Sequence, residues 1–559
     1  MVPPPPSASS PPPSRSLPPA PSTPRGPESR LAKLRADALS GFLVFLIALP
    51  LSLGISLASG FPPVAGLLTA MVGGLLVSLV MGAPLTIKGP AAGLIVIALG
   101  AVTDLGGRDA TLGYRRALAC IVVAGALQAG LGLMKAGRIA DFFPSSVVHG
   151  MLAAIGVIIC AKQVHVMLGV TPHGHEPIEL LLEIPSSLAQ LNPEVLLVGA
   201  VSLVILFVMP MIAHPLARKI PAPMVVLCVA VPLGLYFDFS HEHTYTLAVT
   251  HTSYAITPRY LVTLPDHLIS AITLPDFSVL TSATSIRYVV MFALVGSIES
   301  LLSARAIDQL DKERHKSDYD RDLLAVGLGN VVAGLIGGLP MIAEIVRSKA
   351  NLDAGARSRW SNFFHGAFLL VFVAFLPNLI HRIPLAALAA MLVYTGTRLA
   401  SPSEFIKTFQ IGREQLAVFV VTMIGCIGVD LLVGVALGIV TKLTIQLVLG
   451  SRFATLAKAA IEETTDGAVT TLTVRSNATF TNYLSIKARI YAAAARGSVI
   501  VDLSGAAFVD HTTLERLHDL EGELSHEGKS LTVRGTEQLT PLSQHPMAAR
   551  RSVMPPAPR

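Results

Sequence analysis

Apolar runs close to the ~20 residues that a helix needs to cross a bilayer recur from Leu39 to about Leu449. Fourteen segments are read, two of them short. Their centres lie near Leu49, Gly73, Ile95, Ala126, Gly156, Leu203, Ala230, Leu294, Val331, Lys349, Val371, Ala390, Val421 and Val440. The segment at Lys349 is hardly hydrophobic and is included because it corresponds to the third. This pattern predicts an all-α polytopic membrane domain over residues 31–450. After Gly450 the period shortens. "VTTLTVRS", "SVIVDLS" and "SLTVRG" read as strands, and between them "TTLERLHDLEGEL" sets Leu514, Leu517 and Leu520 at helical spacing. A small α/β domain over residues 451–545 is expected there.

Composition agrees with the pattern. The 559 residues are 52% hydrophobic and 14% charged, where a soluble chain carries roughly 25% charged residues. The net charge of +6 would suggest nucleic acid in a soluble protein. Here the basic residues gather in alternate short loops: Lys135 and Arg138; Arg218 and Lys219; Lys312, Arg314 and Lys316; Arg357 and Arg359; Lys407 and Arg413. Together with Arg30, Lys33 and Arg35 before the first segment, they predict a multi-pass plasma-membrane protein with both termini in the cytoplasm and no nucleic-acid partner. Arg108, Arg115 and Arg116 run against this bias, whereas the long connections Pro172–Asn192 and Ser240–Ser285, expected outside, carry few basic residues.

Residues 1–30 hold 12 of the 39 prolines and no apolar core, so they read as a disordered tail rather than a signal peptide. Residues 546–559 read as a second free tail. Cys120, Cys160, Cys228 and Cys426 all lie in apolar runs, as small buried hydrophobes do.

Two segments are broken alike. Gly82–Gly93 reads "GAPLTIKGPAAG" and Gly338–Arg347 reads "GLPMIAEIVR". Each opens Gly-x-Pro and reaches a charge, Lys88 in one and Glu344 in the other. Matched interruptions in two halves of a membrane chain mark a binding site near the midplane. "PLTI" and "PMIA" are expected to be short extended pieces, each feeding a half-helix. One would open at Gly89-Pro90, with Pro90 in the first helical turn, the other near Val346-Arg347. Two helix N-termini aimed at one point attract an anion. Gly89 and the small Ala91 and Ala92 allow close approach, and Arg347 adds a permanent positive charge, unless it serves only to cap an ion pair with Glu344. Lys88 and Glu344 occupy equivalent positions and are expected to pair across the two strands.

Glu299 lies twelve residues after Arg287, roughly 18 Å along a helix, hence mid-bilayer. An ionisable group there is a functional hypothesis by default. Ser303, four residues on, shares its face. This carboxylate and hydroxyl suit a coupling Na⁺ or H⁺; a carboxyl neutralised by a neighbour is the plainer reading. No other metal and no resident cofactor is expected. His173 and His175, or His241 and His243, read as solvated loops rather than zinc ligands. Lys162, Gln163 and His165 sit near an external helix end, within reach of water.

At this point the chain resembles the sulfate permease family of anion transporters, related to the solute carriers that include prestin. The resemblance spans Ala36 to about Leu542. It rests on "ALPLSLGISLASGFPPVAGLLTAMVGG", "KGPAAGLIVIALGAV", "GSIESLLSARAID", "DAGARSRWSNFFHG" and "VIVDLSGAAFVDHTTLERL". It implies a seven-plus-seven inverted repeat divided into a mobile core and a gate, an elevator motion, a C-terminal STAS domain and a homodimer. It also implies a substrate held between Gly89, Pro90, Ala91 and Ala92 on one side and Val346, Arg347 and Ser348 on the other, with Leu51 and Ile55 nearby. In cation-coupled members an acidic residue matches Glu299 and a hydroxyl residue matches Ser303.

Many sulfate-type members have Gln after the first-segment proline, whereas Leu51 follows Pro50 here. That departure favours bicarbonate over sulfate. In the expected STAS turn Asp510 precedes His511, not the Ser of a phosphorylation switch, so dimer assembly or docking of a cytosolic partner is the expected role.

The chain shows no nucleophile–base pair and no GxxxxGK[ST] segment, so neither an enzyme nor an ATP-driven pump is expected. The readings in order are a secondary active transporter of bicarbonate or a similar small anion, an anion channel, and a membrane-anchored sensor. Glu299 separates the first from the second, because a channel has no need of a titratable group at mid-membrane.

Overall fold

The computed structural model describes residues 30–137, 143–174, 176–214, 220–246, 252–264, 268–311, 317–450, 458–526 and 528–552. Residues 1–29 of the expected N-terminal tail, Arg138, His175, Arg218, Lys219, Lys312, Arg314, Lys316 and residues 553–559 lie outside them, whereas Arg30 opens the first helix.

Every one of the fourteen centres falls within a helix. Among the described residues, seven helices are long and apolar enough to cross a membrane: Arg30–Ala58, Pro63–Val80, Ala110–Leu133, Ser145–Leu168, Pro193–Met211, Ala283–Asp308 and Leu431–Val448. Shorter apolar helices include Ala92–Gly106, Ala222–Tyr236 and Trp360–Phe375.

Helices from the two halves of the chain pack against each other. Arg30–Ala58 lies along Trp360–Phe375, Ala110–Leu133 along Tyr319–Ile336, and Ser145–Leu168 along Leu385–Leu399 and Arg413–Gly428. Small residues set the approach, as expected where lipid gives no hydrophobic drive between helices. A β-carbon on Gly125 would stand 2.7 Å from the Val331 amide, and one on Gly327 would collide with the Ala129 amide.

Two connections hold structure that the hydrophobic pattern did not reveal. Within 172–192 lies a helix, Pro177–Ala189, whose Leu180 is buried. It covers the end of Ser145–Leu168: His165 is fully enclosed, bonded to Ser187 Oγ (2.8 Å) and the Leu180 carbonyl (3.0 Å). Lys162 donates to the Ala58 carbonyl (3.2 Å) and Gln163 is buried. His165 and Gln163 therefore do not reach out to water as expected, His165 because this helix lies over it, and Lys162 is half-buried. Within 240–285 a hairpin pairs His243–Thr246 with Ser253–Ile256. His241 bonds Asp238 and His243 bonds the His241 carbonyl, both local contacts. Of the cysteines, Cys228 is exposed on its helix rather than buried.

The C-terminal domain has a four-stranded sheet. Ile461–Asp466 runs antiparallel to Val469–Val474, which is followed by parallel Ser498–Asp502 and Leu531–Arg534. The helices Tyr483–Ala494 and His511–His526 cover it, with Leu514, Leu517, Leu520 and Leu524 in its core. The chain does not trail free from 546. Ala548 and Ala549 are fully buried, and Arg550–Arg551 pairs with both Thr540–Pro541 and Phe508–Val509. A two-residue strand has no alternation from which a sequence reading could find it.

This domain docks on the helical one. Gln446 Nε2 donates to Asp510 Oδ2 (2.8 Å), Arg516 to the Phe143 carbonyl (2.6 Å), and Ser543 Oγ to the Ile411 carbonyl (2.7 Å).

Candidate functional site

The two broken segments do form a pair of short strands, but the first lies at Ile87–Pro90 rather than over "PLTI", where Pro84 and Leu85 turn the chain instead, and the second is Met341–Glu344, one residue on from "PMIA". Ile87–Pro90 runs antiparallel to Met341–Glu344, with Ile87 opposite Glu344, Lys88 opposite Ala343, Gly89 opposite Ile342 and Pro90 opposite Met341. All eight residues are buried. A two-stranded ribbon inside a membrane domain must find partners for its outer backbone groups, and polar side chains from four helices supply them. Ser348 Oγ accepts from the Ile87 amide (2.8 Å), Asn362 Oδ1 from Lys88 (3.4 Å) and Ser300 Oγ from Ala343 (3.1 Å). Asn330 bonds both amide and carbonyl of Met341 and is itself tied to Gln128 (2.7 Å).

Each strand feeds a helix. The first leads through a tight turn at Ala92–Leu94 into Ile95–Gly106, and the second runs directly into Ile345–Asp353. Pro90 is not in the first helical turn as expected. It ends the strand, where a residue without an N–H closes the ladder, and the next amide, Ala91, donates to the Pro340 carbonyl (3.1 Å).

The two helix starts lie within one side chain's reach. Glu344, the last residue before the second helix, sends Oε1 to the Ala92 amide at the start of the first (3.0 Å). Glu299 approaches the same turn from Ala283–Leu310. A β-carbon on Gly93 would collide with its carboxylate, so glycine is required there. Glu299 Oε2 has no hydrogen-bond partner among the described residues. Ser303, one turn on, is buried.

Arg347 lies in the first turn of the second helix and is 0% exposed. None of its three guanidinium nitrogens has a hydrogen-bond partner among the described residues. Its Nη1 lies over Gly89, 2.6 Å from where a β-carbon would stand. A buried charge without a hydrogen-bond partner is strongly unfavourable. Ser348 is committed to the ribbon, its hydroxyl also donating to the Glu344 carbonyl. Ala91 and Ile55 are buried, Ala92 and Leu51 half-buried, and Val346 is 46% exposed.

Residues 34–422 match the Sulfate permease family over most of the chain. The chain belongs to the sulfate permease family. This is a family of anion transporters, not of enzymes, and the chain is a multi-pass membrane protein.

Among family relatives, "Putative sulfate transporter YvdB" of Bacillus subtilis (strain 168) is 29% identical over 412 residues, 73% of each chain. "Bicarbonate transporter BicA" of Picosynechococcus is 25% identical over 408 residues, 73% of this chain and 69% of that one. The transmembrane domain of a cyanobacterial BicA superposes with a TM-score of 0.60 at 24% identity, covering 74% of this chain and 98% of that one. SLC26A9 superposes at 0.65 and 16% identity, covering 91% and 85%. At these identities the likeness is one of fold.

This chain brings Gly89, Pro90, Ala91, Ala92, Arg347 and Glu344 together, but not Lys88 with Glu344. Side chains alternate across a strand. The one-position offset that sets Lys88 against Ala343 sends the Lys88 and Glu344 side chains to opposite faces of the ribbon. Lys88 instead meets Asp322 of Tyr319–Ile336 at 2.6 Å, both side chains 0% exposed. Asp322 Oδ1 also accepts from the Ala83 amide (3.0 Å).

Asp322, Asn330, Gln128, Ser300 and Asn362 escaped the sequence reading. Asp322 looked like an ordinary acid in a helix's first turn. Asn330 and Gln128, alone in apolar runs, carried a usable signal: polar groups deep in a membrane helix are there to bind something.

Proposed function

We propose that this protein is a secondary active transporter of a small inorganic anion, with bicarbonate as the first candidate, coupled to Na⁺ or H⁺. The observation that carries the reading is Arg347: a fully enclosed guanidinium with no hydrogen-bond partner among the described residues, lying over a glycine between two half-helix starts. An anion there would gain charge-assisted hydrogen bonds and end the isolation of the arginine. Glu299 and Ser303 fit the coupling role. A carboxylate oxygen without a hydrogen-bond partner among the described residues and a hydroxyl one turn away are hard oxygen donors, suited to Na⁺ or to a proton.

The helices that carry the ribbon and those around Ser145–Leu168 suit the mobile core and the gate of an elevator, organised as seven-plus-seven inverted repeats. The α/β domain fits a STAS domain on the cytoplasmic side, and a homodimer is the proposed assembly. Sulfate is the second candidate, since one relative is named for it and another for bicarbonate. Leu51 after Pro50 puts an apolar side chain where a hydrogen-bonding one would help a dianion.

Uptake of labelled bicarbonate and sulfate into proteoliposomes, with and without Na⁺ and across a pH step, tests the reading. Bicarbonate accumulation driven by one of the two cation gradients is expected. Glu299→Gln is expected to abolish accumulation while anion exchange persists. Full gradient-driven accumulation in that variant would remove Glu299 from the coupling.

A further inference from the structure

The amide end of the first half-helix already holds an anion, and it belongs to the chain. Glu344 Oε1 accepts from the Ala92 amide at 3.0 Å. Ala92 opens the helix Ala92–Gly106, where a carboxylate also gains from the helix dipole. Yet Glu344 does not neutralise its neighbour. Arg347 lies one turn along the same chain, close enough for the two charges to act on each other, and none of its nitrogens has a hydrogen-bond partner among the described residues. A purely structural glutamate so near a buried guanidinium would be expected to pair with it. Here the carboxylate reaches across to the other repeat instead, and leaves the arginine open.

We infer that Glu344 is an internal competitor for the transported anion: it occupies the Ala92 N–H in the empty protein and an incoming anion displaces it. The inference rests on the anion-site reading above. The arriving oxyanion takes the Ala92 amide and the Arg347 guanidinium together, joining the two half-helices through itself. Glu344 then lets go of the first repeat. With no anion present, the carboxylate keeps the amide satisfied and the two repeats linked. A tethered competitor lowers the affinity for every anion by the same factor, because each must displace the same carboxylate. A mere repulsive field would weigh more heavily on a dianion than on a monoanion. Glu299 and His365 also border this region, on Ala283–Leu310 and Trp360–Phe375, and Lys88 leaves the opposite face of the ribbon.

The test uses the full chain in lipid nanodiscs at constant ionic strength. Apparent affinities for nitrate, bicarbonate and sulfate are read from the anion-dependent rise in the unfolding midpoint. Glu344→Gln keeps a carbonyl oxygen for Ala92 but is a weaker acceptor. Glu344→Asp keeps the charge and is one methylene too short to reach. Both are expected to bind tighter, on the order of tenfold, by the same factor for nitrate and sulfate. Midpoints without anion check that each variant folds.

Tighter binding in Glu344→Gln alone, or a gain confined to sulfate, would show a field effect and overturn the inference. Unchanged or weaker binding in both variants, or no binding of any probe by any form, would overturn it as well. Arg347→Gln separates the two readings. If it loses binding while the Glu344 variants match wild type, only the competitor fails; if it binds like wild type, the anion site itself is elsewhere.

Discussion

Arg347→Gln is expected to abolish anion uptake while leaving the protein as stable as wild type, or more so. The argument turns on sign. A structural arginine makes bonds, so removing it lowers the unfolding midpoint. This one makes no hydrogen bond among the described residues although it is 0% exposed, so glutamine removes a buried charge and gives up only its attraction to the nearby Glu344. The transported anion loses its charge-assisted contacts, each worth about 1.5–3 kcal/mol, and two such contacts together reduce uptake at low substrate on the order of a hundredfold or more. Arg347→Lys should keep part of the activity, as a point charge on a shorter arm. Proteoliposome uptake and thermal unfolding on the same preparations check both halves. A large fall in the midpoint together with retained uptake would mark Arg347 as structural.

The second large effect lies on the other face of the ribbon. Lys88→Met or Asp322→Asn alone is expected to cost about 3–5 kcal/mol, because each strands a buried charge. Asp322→Asn keeps an oxygen that can still accept from the Ala83 amide, so the two single losses should be of similar size. The double variant Lys88→Met/Asp322→Asn should be less damaging than the sum of its parts. Lys88 and Glu344, by contrast, leave opposite faces and should show additive losses. Thermal unfolding of the folded fraction by size-exclusion chromatography measures both cycles. Strong coupling of Lys88 with Glu344, and none with Asp322, would contradict the register.

Much of the architecture could be read from the apolar pattern, since a bilayer imposes a long period that loops rarely imitate. Even the weak segment at Lys349 lies in a helix, Ile345–Asp353. The paired breaks were legible because Gly-x-Pro twice interrupts hydrocarbon-length runs. What stayed hidden was which side chains meet. Two equivalent repeat positions suggested that Lys88 faces Glu344, and a one-residue offset in pairing reversed that. The Glu344 contact with Ala92 depends on where the first helix begins, which a proline just upstream disguised. Asp322 carries no mark of its depth, because its helix also opens with the acids Asp318 and Asp320.

The most direct measurement locates the anion. Anomalous scattering from bromide or selenate bound to the full chain should show a peak about 3 Å from the Arg347 guanidinium, in hydrogen-bond reach of the turn at Gly89–Ala92. A peak remote from both half-helix starts, and unmoved by Arg347→Gln, would contradict the account.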